Sequence, residues 1–191
     1  MKEQEKRQKL AMMLRAVFFG ALLVVAGSFL SALFPSEYIM LAASGLSLAY
    51  VLTIAAAMRG AALVTGDEDY RYAMYTATIN AACILLTLFG VYLYGFCAVL
   101  SLLCEAACIC YLCRGTGTAL REIGRDDTAR TGELLWKIYA GCEAGYAVML
   151  FVPLSPMISG LVIAAALTVN IAFVNYLHNA QKALMAERES E

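Results

Sequence analysis

Charge is scarce in this chain and histidine almost absent. Only 15% of the 191 residues are Asp, Glu, Lys or Arg, against about 25% in an average soluble domain. The formal net charge of −1 removes the global basic character that nucleic-acid binding requires. His178 is the single histidine, so histidine-based zinc sets and Ser-His or Cys-His catalysis with a buried partner are poorly supplied. No Walker-type phosphate loop is present, and "GTGTAL" (115–120) lacks the third glycine of a dinucleotide fingerprint. No cofactor is implied, and no catalytic set assembles, so an enzyme is the less favoured class. Proline is also rare, with three in the chain. Pro35, Pro153 and Pro156 all fall at breaks between apolar runs.

What is abundant is apolar surface. Hydrophobic residues make up 62% of the chain, and the mean hydropathy is +0.71. A membrane-spanning helix needs roughly 20 mostly apolar residues. Six candidate spans are predicted, near 14–34, 37–58, 71–93, 95–114, 134–153 and 157–178. "PSE" (35–37) separates the first two. "YGF" (94–96) divides the middle pair, with Gly95 as the expected turn. "PLSP" (153–156) separates the last two. The first run is longer than a signal-peptide core and reads as a retained helix.

Every Lys and Arg then lies at or beyond one side of the membrane, and the three turns on the other side carry none. Lys and Arg enrich cytoplasmic loops, so both termini are expected in the cytoplasm. The very short outer turns favour a bacterial plasma (inner) membrane. The predicted fold is all-α: one polytopic domain of six transmembrane helices arranged as three tandem antiparallel hairpins. Its parts are a basic N-terminus (1–13), hairpin 1 (14–58), a connector (59–70), hairpin 2 (71–114), a connector (115–133), hairpin 3 (134–178) and a tail (179–191). Both connectors open on Arg-Gly, at 59–60 and 114–115, and continue to a glycine followed by acidic residues. That pattern predicts a helix running past the membrane, a glycine stop and an acidic N-terminal cap. The amphipathic stretch 115–130 is a candidate for lying along the interface. Three tandem two-helix units resemble, in architecture, the bacterial acid-resistance membrane proteins of similar length. The size and six-span plan are also similar to the substrate-binding subunits of vitamin-importing energy-coupling transporters. Neither resemblance carries a shared motif, and no residue role is taken from it.

Ionisable groups inside spans are expensive and mark functional sites by default. Glu105 lies about 13 Å from Arg114 along an ideal helix, and Glu143 about 15 Å from Glu133, at a rise of ~1.5 Å per residue. Asn80, Asn170 and Tyr50 fall at similar depth. These five residues form a candidate layer lining one cavity. Two carboxylates there suit proton coupling, and with asparagine carbonyls they suit a cation. The competing reading is structural: buried Glu and Asn side chains also join membrane helices by hydrogen bonds. Trp136, Tyr139, Tyr92 and Tyr94 are assigned to aromatic belts at span ends.

The stretch "CEAACICYLC" (104–113) holds four of the seven cysteines. Helical spacing puts Cys97, Cys104 and Cys108 on one stripe, with Cys110 and Cys113 on the other side. One helix therefore does not aim them at one metal. Cys110 and Cys113 remain weak metal or redox candidates, and cysteine as a small packing residue is the better reading.

The sequence thus favours a small transporter or channel-like protein holding a small solute, proton or cation in its bundle. One alternative is a non-catalytic membrane subunit, scaffold or sensor packing against another membrane protein or against its own copies. A second is a membrane thiol oxidoreductase. The lipid bilayer is the expected surrounding, and no nucleic acid is implied.

Overall fold

The computed structural model describes residues 2–34, 36–89, 94–153 and 155–186. Among these residues the chain is all-helical: α1 (Lys2–Leu33), α2 (Glu37–Thr65), α3 (Glu68–Leu88), α4 (Tyr94–Glu122), α5 (Asp126–Phe151) and α6 (Pro156–Ala186). Each helix packs on its neighbour in sequence, and α6 closes on α1, so the six form a ring. α4 also reaches across to α6.

The stops and starts follow local chemistry. Ser36 caps α2 by accepting the Ile39 N–H. Pro156 opens α6 at the position where its missing N–H costs nothing. The expected glycine stops are present. Gly66 ends α2 at φ 77°, a left-handed conformation suited to glycine. Asp67 then caps α3 by accepting the Asp69 N–H at 2.8 Å. At the second connector Gly124 takes φ 71°. Arg125 supplies no side-chain cap there, and Asp126 and Asp127 occupy the first turn of α5 instead.

Two local expectations are corrected. Gly95 is not the turn of the middle pair; it lies in the first turn of α4, and the break falls at 90–93, outside the described residues. Gly95 is helical and takes no left-handed conformation. The stretch 115–130 does not lie flat along an interface. Residues 115–122 continue α4, with Thr116 and Leu120 fully buried against the neighbouring helices. Their burial among helix partners outweighs what a lipid surface offers.

α1, α2, α4 and α6 are long and apolar enough to cross a membrane. The 29 residues of α2 extend about 43 Å, well beyond the ~30 Å hydrocarbon core. Their apolar side chains, Leu22, Leu23, Leu52 and Leu161 among them, point outward, as lipid requires and water penalises. α3 and α5 are more polar along their length, holding Asn80 and Thr76, and Lys137 and Glu143.

Tyrosine rings seat on glycines within each sequential pair. A Cβ at Gly20 would stand 2.7 Å from the Tyr50 ring, one at Gly115 would meet the Tyr70 ring at 3.1 Å, and one at Gly132 would meet the Tyr176 hydroxyl at 2.6 Å. Only a residue without Cβ lets these rings approach the neighbouring helix this closely. Around Tyr70, a fully buried apolar layer of Leu14, Met58, Leu112, Cys113 and Leu177 fills the end of the ring that carries the chain termini. Ion pairs frame that same end: Arg114 to Asp69 at 3.5 Å, and Arg121 to Glu133.

Candidate functional site

Three helical stripes converge on the interior of the ring. On α4, Ser101, Glu105 and Cys108 recur at helical spacing, so they share one face. Tyr139, Glu143 and Tyr146 do the same on α5, and Ala73, Ala77 and Asn80 on α3. Packing of α4 between α3 and α5 brings the three faces together.

At the centre the Tyr139 hydroxyl donates to Glu105 Oε1 at 2.6 Å. Tyr139 also packs edge-on against Phe173 of α6, with ring centres 6.4 Å apart. Glu143 stands one turn beyond Tyr139 and is only 8% exposed. Its Oε2 is buried without a hydrogen-bond partner among the described residues. Glu105, Glu143 and Tyr139 stand within electrostatic range of one another, and Tyr50 lines the same small cavity as Glu105. On the other side of Glu105, Asn80 Oδ1 accepts from Ser101 Oγ at 2.5 Å.

A cavity of about 10 Å³ lies between α2, α3 and α4, lined by Tyr50, Asn80, Glu105 and Cys108 with apolar neighbours. That volume is about the minimum for one water molecule. It admits a proton carrier or a small desolvated ion and excludes an organic solute.

Four of the five residues in the expected layer therefore meet around one centre: Tyr50, Asn80, Glu105 and Glu143. Asn170 does not join them. It is half-buried, and its amide donates to Ala166 of its own helix at 3.0 Å. Tyr139 is the main correction. It is not a belt residue at a span end; it is 3% exposed and holds Glu105. The signal was available, because Tyr139 precedes Glu143 by four residues and so shares its face. Ser101 carried the same signal, four residues before Glu105. Trp136 is half-buried, with the Lys137 ammonium 5.8 Å from its ring centre. Tyr92 and the side chain of Tyr94 lie outside the described residues.

The cysteines spread over several environments. Cys97, Cys104, Cys108 and Cys113 are buried, and Cys110 is half-buried. All seven are free thiols. Among the described residues no group of three His, Cys, Asp or Glu side chains is placed to hold a metal. Cys108 donates weakly to the Ala73 carbonyl at 3.5 Å. Both faces of α4 are enclosed, which is why cysteines on opposite sides of it are buried alike.

Comparison with known proteins adds no assignment: no protein-family model, curated protein or solved structure matches the chain.

Proposed function

We propose that this chain is a six-span membrane protein that passes protons, or a small cation, through the interior of its helix ring by way of Glu105 and Glu143. The observation that carries the reading is the buried, unpartnered Oε2 of Glu143 beside a tyrosine-held Glu105. A carboxylate kept only to join helices would be satisfied by its neighbours. An orphaned buried polar atom costs about 1–3 kcal/mol, and such costs concentrate at functional sites. The cavity beside Glu105 supports a proton or bare ion over a larger solute.

Membrane crossing by α3 and α5 is supported by their place in the ring. Each is flanked by two helices that are long and apolar enough to span, and joins a flanking helix through a two- or three-residue turn. Ile79 and Leu86 on α3, and Ile138 and Val148 on α5, also face outward. The gathering of Lys and Arg at the termini end supports a cytoplasmic position for that end. Short turns opposite fit a bacterial plasma membrane. A second reading, a membrane subunit that docks a partner at its cytoplasmic end, is favoured by a recess of about 230 Å³ there, lined by Lys6, Arg7, Asp67 and Glu122 among others.

The test is proton uptake into proteoliposomes with a trapped pH dye, driven by a potassium diffusion potential. Wild type is expected to acidify the lumen faster than empty liposomes. Glu105→Gln and Glu143→Gln are expected to lose that flux while eluting normally on gel filtration. Full flux in both variants sinks the carboxylate assignment, and no flux in wild type, with sodium or potassium tested as well, sinks the conduction reading.

A further inference from the structure

A second hollow lies close to the carboxylates. It is a cleft of about 260 Å³ between α3, α4 and α5, lined by Thr87, Ala98, Ser101, Leu102, Tyr146 and Leu150. These residues belong to the half of the ring away from the chain termini. Ser101 lines this cleft, while Asn80 lines the small cavity beside Glu105. The two side chains are joined by the 2.5 Å hydrogen bond from Ser101 to Asn80. One bonded pair thus forms a shared wall between the open cleft and the enclosed cavity. Tyr146 lines the cleft from α5, one turn past Glu143. Towards the termini end a recess of about 230 Å³ reaches Tyr70, and among the described residues a packed apolar layer lies beyond it. Ile109, Leu112, Cys113, Met58 and Tyr70 are packed there at 2% exposure or less.

We propose that the α3–α4–α5 cleft is the port through which water, protons or a small cation reach the carboxylate pair from the membrane face opposite the termini, and that the Ser101–Asn80 pair gates it. This rests on the conduction reading, and it adds a side, a route and a gate. In this conformation the carboxylates are offered to one side only. The port is large enough for several waters, and the cavity behind the gate for about one, so an ion must shed most of its hydration at Ser101. The proton or ion is the species that moves; no bond other than hydrogen bonds or ion contacts forms or breaks on the way.

The test reads access directly, so that it stands apart from transport. Ser101→Cys and Thr87→Cys are placed in oriented proteoliposomes and treated from one side with a membrane-impermeant methanethiosulfonate. Peptide mass spectrometry then locates the adducts, so the native cysteines stay and serve as controls. Both new cysteines are expected to react at least an order of magnitude faster from the side opposite the termini. Native Cys113, fully buried in the closing layer, is expected to stay unmodified from either side. In Asn80→Ala the gate is removed, and native Cys108, which lines the inner cavity, is expected to react from the same side with silver ion, a thiol reagent small enough for that cavity. Equal labelling from both faces, or faster labelling from the termini side, overturns the port. Cys108 remaining protected in a folded Asn80→Ala protein overturns the gate. Thr87→Cys keeps the port testable if Ser101→Cys fails to assemble. One-sided labelling with no ion flux would retain the cleft as an access route while refuting conduction.

Discussion

Replacing each carboxylate by methionine gives effects of opposite sign on stability. Methionine matches glutamate closely in length and volume, so little cavity or overpacking results. At position 143 the substitution removes an oxygen that is buried and unpartnered. Relief of an orphaned buried polar group is worth about 1–3 kcal/mol in proteins generally. Polar interactions in membrane bundles run smaller, averaging about 0.6 kcal/mol. Glu143→Met is therefore expected to be neutral or to stabilise by up to about 1 kcal/mol. At position 105 the same change deletes the acceptor of the 2.6 Å bond from Tyr139. It leaves the Tyr139 hydroxyl, on a residue 3% exposed, without that partner, at a cost of about 1–2 kcal/mol. The assay is reversible unfolding in mixed detergent micelles, followed by circular dichroism and by fluorescence of Trp136, the only tryptophan. Proton flux is measured on the same variants and is expected to be lost in both. A gain or tie in stability with lost flux at position 143 is the mark of a residue kept for function at the expense of stability. A loss of more than about 1 kcal/mol at 143, with a smaller loss at 105, would refute the reasoning and make Glu143 a structural joint.

Two further outcomes follow from the helix contacts. Gly132→Ala places a Cβ 2.6 Å from the hydroxyl of Tyr176, which is itself only 2% exposed. Overpacking of about 1–3 kcal/mol should outweigh the ~1 kcal/mol gained from helix propensity; Gly141→Ala, with nothing within 4 Å, should show the gain alone, and equal stability of the two variants in thermal unfolding would deny the ring seat. Asp69, at the termini end, has its carboxyl pushed up from the usual Asp value because burial outweighs the nearby Arg114. The folded chain then binds that proton more tightly than the unfolded chain. The contribution is fully present below the ordinary value near 3.8 and is lost as pH rises through the elevated one. Asp69→Asn should flatten that part of the stability–pH curve, and an unchanged slope would exclude Asp69 as its source.

The sequence by itself determined the apolar helices, their punctuation and the polar residues that interrupt them. Hydropathy and helical spacing are local properties, so Gly66, Asp67 and Pro156 act where their chemistry says they must. The depth of Glu105, Glu143, Asn80 and Tyr50 was equally legible, because rise per residue fixes position along a helix. Which face of each helix turns inward was not. Asn170 stands at the right depth and yet bonds to its own helix, whereas Tyr139, read as a span-end aromatic, lies at the centre. Gly95 looked like a turn because glycine permits one, while it lies in the first turn of α4. Only the tertiary structure decided that α6 closes on α1 and that α4 sits between α3 and α5. That closure sets Glu143 beside a Glu105 already held by Tyr139, and puts the Ser101–Asn80 bond between a cleft and a cavity. These are relations between helices far apart in sequence, fixed by how side chains such as the seated tyrosines fit against glycines on a neighbouring helix, and no periodicity within one helix encodes them.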